Sequence, residues 1–149
     1  MVKIISLFLV NILLITGTMF LAGGNLLDFF DLPSIGFIII IPILLLFNNF
    51  NLKEITDTIL FCMNKRKNIN METGILILTS LKKYLFLSGI TGLMIGVIIL
   101  LPHLGNITAF GSGLSVCVLT VFYSIIINLL IISPMITFLK RNNPKGAEG

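Results

Sequence analysis

The sequence has no tryptophan, a single histidine and two cysteines, and only 11% of its 149 residues are charged. Each shortage removes a class of function. Cys62, next to a basic loop, and Cys117, inside an apolar run, make no disulfide framework, and both read as small buried hydrophobes. The lone His103 stands beside Pro102 between two apolar runs, where it reads as an exposed loop residue. No nucleophile is paired with a base, no residues are spaced as a metal cluster, and no glycine-rich phosphate loop occurs. The chain is therefore not expected to be an enzyme, and no cofactor or metal is expected. Charge is absent where it would matter most: the runs 4–22, 33–50, 84–101 and 113–139 contain no Asp, Glu, Lys, Arg or His. A self-sufficient proton-coupled carrier holds a carboxylate at membrane depth. Its absence argues against such a carrier and against a small-molecule exporter.

What is present is apolar surface. Hydrophobic residues make up 56% of the chain and the mean hydropathy is +1.10, which excludes an ordinary soluble domain and leaves no room for a separate one. The expected fold is an all-α membrane protein, a single integral membrane domain over residues 1–149. Four transmembrane helices, at about 4–22, 33–50, 84–101 and 113–139, carry a short helical cytoplasmic insertion, 51–83, between spans two and three. The first run follows Lys3 and ends in small residues, as a secretory signal would. Its length, its Asn11, Thr16, Gly17 and Thr18, and the topology that the later spans need favour a retained helix.

The segment GGNLLDFFDLPS, residues 23–34, then makes a turn expected at the membrane surface. Gly23 and Gly24 break the first helix, Asp31 and Ser34 can cap the second, and Pro33 suits its start. Pro42 is expected to bend the second span. Within 51–83, Leu52, Ile55, Ile59, Leu60 and Met63 recur at helical spacing, as can Ile69, Ile75, Leu76, Leu78 and Leu81. This pattern predicts two short amphipathic helices joined near Asn68.

The ten basic residues fix the orientation. Lys3 precedes the first span, and Lys53, Lys65, Arg66, Lys67, Lys82 and Lys83 lie between the second and third. Lys140, Arg141 and Lys145 follow the fourth. Four spans put all three places on one side, which the positive-inside rule makes the cytoplasm, with both termini there. Three spans would split them. The net charge of +4 thus belongs to membrane topology and implies no nucleic acid.

The last hairpin, 84–139, carries the remaining signals. Ser88, Gly89, Gly92 and Gly96 give the third span a face of small residues on which another helix can close. Thr120, Ser124 and Asn128 recur every four residues as an uncharged polar stripe on the fourth. Such a stripe serves either as hydrogen-bonding glue between helices or as the wall of a narrow wetted path between subunits or around a partner helix.

The turn GGNLLDFFDLPS resembles the surface turn after the first span of MotA-type stator proteins. The hairpin resembles the core of the broader MotA/TolQ/ExbB proton channel family: GITGLMIGV is similar to its glycine-punctuated third helix. LTVFYSIIINLLIISPM is similar to its helix with a pore-facing threonine and a serine-proline near the cytoplasmic exit. Four spans favour the MotA branch. The resemblance implies a homo-oligomer, a pentamer, in the bacterial cytoplasmic (inner) membrane. Its third and fourth helices would surround the single-span helices of a dimeric partner similar to MotB, TolR or ExbD. The partner brings the aspartate, and H+ or Na+ is the translocated ion. Thr120 matches the pore threonine, and Ser133 with Pro134 the exit motif. Ser124 and Asn128, from the stripe, and Thr91 join the expected ion pathway. Asp31, Pro33 and Ser34 match the surface turn. Two departures stand out. Flagellar MotA has a large rotor-engaging domain where this chain has only 51–83, which argues against coupling to a flagellar rotor, and a proline near the start of its third span where this chain has Phe86 or a neighbour. The reading that competes from another class is a non-conducting membrane scaffold.

Overall fold

The computed structural model describes residues 13, 16–18, 20, 21, 23, 29–63 and 69–143. All regular structure among them is helical. The helices whose bounds lie among the described residues are α1 (Leu32–Asn49), α2 (Leu52–Cys62), α3 (Met71–Leu100), α4 (Ile107–Ile127) and α5 (Ser133–Asn142). A 3-10 turn, Leu101–His103, joins α3 to α4, and a π-turn, Asn128–Ile132, joins α4 to α5. Three stretches are long and apolar enough to cross a membrane: Leu32–Asn49, Met71–His103 and Ile107–Asn142. The expected first span, 4–22, falls mostly outside the described residues, as do Lys3, Asp28, Lys65, Arg66, Lys67 and Lys145. The helix end expected at Gly23 is seen as a positive φ of 76°, a conformation that glycine adopts without strain.

Local chemistry explains the boundaries. Asp31 caps α1, its carboxylate accepting the Ser34 N–H at 3.0 Å, and Pro33 occupies the first turn, where an N–H would have no helical partner. Pro42 stands inside α1 without ending it. Glu54 reaches back to the Asn51 N–H at the start of α2, and Asn70 accepts from the Glu72 and Thr73 N–H groups at the start of α3.

The sequence pattern predicted a second short helix ending near Lys83. The structure instead runs α3 unbroken for 30 residues, about 45 Å at ~1.5 Å per residue. No glycine or proline stands between Gly74 and Gly89 to stop it, so the amphipathic stretch becomes the first turns of the long apolar helix. A hydrocarbon core of ~30 Å cannot enclose all of that length. The last span likewise starts at Ile107 rather than 113, because Asn106 accepts the Ala109 N–H at 3.1 Å and starts the helix ahead of Gly111 and Gly113.

α3 is the hub and touches all four other helices. One apolar cluster joins Ile38 of α1, Leu85 of α3 and Ile132 of the π-turn, and a second joins Leu46, Ile55 and Ile77. Phe61 of α2 stacks near Phe138 of α5, with centroids 6.1 Å apart. The end of α1, the start of α3 and the end of α5 therefore lie together. This end carries Lys53, Lys82, Lys83, Lys140 and Arg141; the opposite turn, Leu101 to Asn106, has no Lys or Arg.

Candidate functional site

The small-residue face of α3 and the polar stripe of α4 meet each other inside one chain. A Cβ placed on Gly89 would stand 2.6 Å from Ser124 Cβ, and one on Gly92 would stand 3.3 Å from both Phe37 and Thr120. One on Gly96 would collide with Cys117 Sγ. Absent side chains on α3 are thus what let α4 approach, as glycine faces do between membrane helices. The same contacts bury Cys117, Thr120 and Ser124.

The hydroxyls of the stripe are committed to backbone carbonyls. Thr120 Oγ1 donates to the Cys117 carbonyl at 2.7 Å, one turn back on its own helix. Ser124 Oγ donates across the hairpin to the Leu85 carbonyl at 2.7 Å, and Ser88 Oγ donates to that same oxygen at 2.9 Å. Ser124 thereby locks α4 to α3 at one register.

Asn128 breaks this pattern. It is buried at the start of the π-turn, and its side-chain oxygen accepts no hydrogen bond in the chain. Its backbone carbonyl accepts the Ser133 N–H, the wide-turn bond that precedes Pro134. Proline has no N–H to give, and its ring crowds the carbonyl four residues back in an α-helix. A π-turn immediately before Pro134 is the relief the backbone adopts, and such turns concentrate at functional positions. A cleft opens beside it between α3 and the π-turn, lined by Lys82, Phe86, Ile125, Asn128, Leu129 and Ser133.

Thr91, expected on the ion pathway, stands apart from the other three. It is exposed on the side of α3 away from Gly89, and its hydroxyl donates to the Leu87 carbonyl at 2.9 Å. His103 is exposed as expected, with Nδ1 3.2 Å from the Ile99 carbonyl. Burial pushes the Cys62 thiol above its ordinary range, and both cysteines are free.

One polar anchor was missed. Tyr123 of α4 donates its hydroxyl hydrogen to the Phe29 carbonyl and accepts the Asp31 N–H at 3.1 Å, while Phe29 and Phe122 pack with centroids 6.0 Å apart. Tyr123 lies about 24 Å along α4 from Ile107 at ~1.5 Å per residue. Asp31 is therefore level with the middle of the hairpin, not with its outer turn. The sequence shows that Tyr123 follows the stripe but does not show what its hydroxyl reaches, since the partner lies 94 positions away.

Among the described residues, no group of His, Cys, Asp or Glu is placed to hold a metal ion. No protein-family model, curated protein or solved structure matches the chain.

Proposed function

We propose that the chain is a subunit of an ion-conducting membrane complex, one of a homo-oligomeric ring closed around the membrane helix of a carboxyl-bearing partner. On the family resemblance the ring is a pentamer. The partner is a single-span dimer of the MotB/ExbD/TolR kind, and the ion is H+ or Na+. The complex sits in the bacterial inner membrane with both termini cytoplasmic, does work on ion flow and is no enzyme. One observation carries the reading: the polar stripe is satisfied at Thr120 and Ser124 but ends, at Asn128, in a buried acceptor that lacks a donor. A buried acceptor without a partner costs about 1–3 kcal/mol, and a rearrangement of Asn128 when another chain docks on the adjoining cleft would relieve it. The gathering of basic residues at one end of the bundle supports the orientation.

The competing reading, a non-conducting scaffold, draws on the fit of Gly89, Gly92 and Gly96 to Ser124, Thr120 and Cys117, which is a packing use of both faces. Proton flux into vesicles under a pH gradient separates the two. Vesicles holding the purified chain alone are expected to stay tight, and vesicles also holding a single-span protein encoded beside it, with an aspartate in its span, to leak. Thr120→Val, which removes one hydroxyl at nearly constant volume, is expected to lower that flux while the complex still assembles. Selective conduction by the chain alone contradicts the proposal, and loss of assembly in Thr120→Val favours the scaffold.

A further inference from the structure

We infer that the cleft between α3 and the π-turn seats an anionic phospholipid of the bilayer, with one acyl chain along its apolar walls and the phosphodiester on Lys82 and Ser133. This lipid seat goes beyond the ring reading and does not depend on it.

Two rows of side chains build the cleft. Lys82 and Phe86 lie four residues apart on α3, and Ile125, Leu129 and Ser133 recur every four residues along the last span. The two helices run in opposite directions, as the approach of Gly89 to Ser124 and of Gly96 to Cys117 shows. Lys82 and Ser133 therefore share one end of the cleft, and Phe86, Ile125 and Leu129 the other. Those three apolar side chains are each about half exposed or more within the chain.

The order of the walls matches the depth of a lipid. Lys82 stands about 27 Å along α3 from Leu100 at ~1.5 Å per residue, close to the ~30 Å of a hydrocarbon core. With the exposed Ile98, Ile99, Leu101 and Leu104 near one edge of that core, Lys82 and Ser133 lie near the other, at the level of the phosphates. The apolar end of the cleft then points into the bilayer.

Charge selects the headgroup. Lys82 is exposed, and no carboxylate among the described residues pairs with it. At its end of the bundle Lys53, Lys83, Lys140 and Arg141 outnumber Glu54, Asp57 and Glu72. A phosphodiester accepts from the Lys82 ammonium and the Ser133 hydroxyl. A choline headgroup would add a positive charge to this cationic end, whereas a glycerol headgroup leaves the lipid anionic. Soluble phosphate would use Lys82 but leave Phe86, Ile125 and Leu129 uncovered. At about 260 Å³ the cleft has room for a fatty chain but not for the body of a helix ~10–12 Å across. A chain that docks there lies across its mouth, over the lipid.

The test uses the full chain in vesicles and exploits its lack of tryptophan. Phe86→Trp puts a single fluorophore in the cleft wall, Leu129→Trp puts one in the facing wall should the first variant fail to fold, and Ile98→Trp is the reference on exposed surface far from the cleft. The vesicles mix phosphatidylcholine with phosphatidylglycerol, one or the other carrying brominated acyl chains, which quench tryptophan on contact. Brominated phosphatidylglycerol is expected to be preferred at the cleft by about five-fold, the attraction of one lysine for an anionic lipid, with no such preference at Ile98→Trp. Lys82→Gln is expected to remove most of the preference and Lys83→Gln to leave most of it, circular dichroism showing each variant helical. Equal quenching by both lipids at the cleft, or the same preference at Ile98→Trp, would reveal ordinary boundary lipid and overturn the proposal. A preference lost as fully in Lys83→Gln as in Lys82→Gln overturns it too. So does quenching at Ile98→Trp but none at the cleft, which would mean that protein fills it.

Discussion

A methyl group at Gly89 would press on Ser124 Cβ at 2.6 Å, on backbone held by the Ser124 to Leu85 hydrogen bond, so little there can give way. Gly89→Ala is expected to destabilise the chain by about 1–3 kcal/mol, the usual cost of overpacking a tight core. Ser124→Gly added to it removes the opposing Cβ, and part of the stability should return in thermal unfolding in detergent; strictly additive losses would show that the two sites do not touch. The small-residue run was legible in the sequence, and so was the stripe. What the sequence left open was whether each face serves this chain or a neighbouring one, because the spacing of either is the same in both cases. The answer depends on how α3 and α4 are set in register, which Gly96, Cys117, Gly113 and Leu100 decide through contacts far apart in the chain.

Asp31 poses the second question at this scale. Its carboxylate caps α1 near Tyr123, and Tyr123 lies one turn from Thr120 on α4. The fold thus brings the Asp31 backbone to a residue one turn from the stripe. The cap duty of Asp31 is replaceable, since asparagine caps helices about as well as aspartate. Asp31→Asn is therefore expected to leave both stability and partner-dependent ion flux nearly unchanged. Loss of flux from a folded variant would make Asp31 itself the ion-carrying group and remove the need for a partner's aspartate.

At the scale of the element, the last span is two helices in one direction with a wide turn between them. Ser133–Pro134 was visible in the sequence as a place where the backbone loses a donor. The π-turn was not, because proline permits a kink, a break or a wide turn alike, and the packing of Ile132 against Ile38 and Leu85 selects among them. Pro134→Ala restores the missing N–H and removes the ring that crowds the preceding turn. Amide exchange over residues 129–133 is expected to slow in that variant as the wide turn tightens toward an α-helix. Unchanged or faster exchange would mean that packing alone, not the proline, holds the turn open. The length of α3 teaches the converse lesson. Lys82 and Lys83 look like a boundary by charge, yet both are good helix formers and the backbone passes through them unbroken.

Across the whole molecule, the three described spans bury only 22%, 22% and 33% of their apolar windows within the chain. Residues such as Ile98, Ile99, Leu101 and Ile107 are more than half exposed. Lipid or another chain can cover such surface. The described spans are held together by intrachain contacts at the glycine face. The membrane class, the second span and the grouping of charge followed from composition and order. The Tyr123 anchor and the orphaned amide follow from contacts between distant residues, and no local pattern encodes those.

The measurement that bears most directly on this account is an electron cryo-microscopy map of the complex extracted from its own membrane. The expected result is a closed ring of identical subunits with helical density from a different chain at its centre. A single copy, or a ring whose centre is filled by its own side chains, would contradict it.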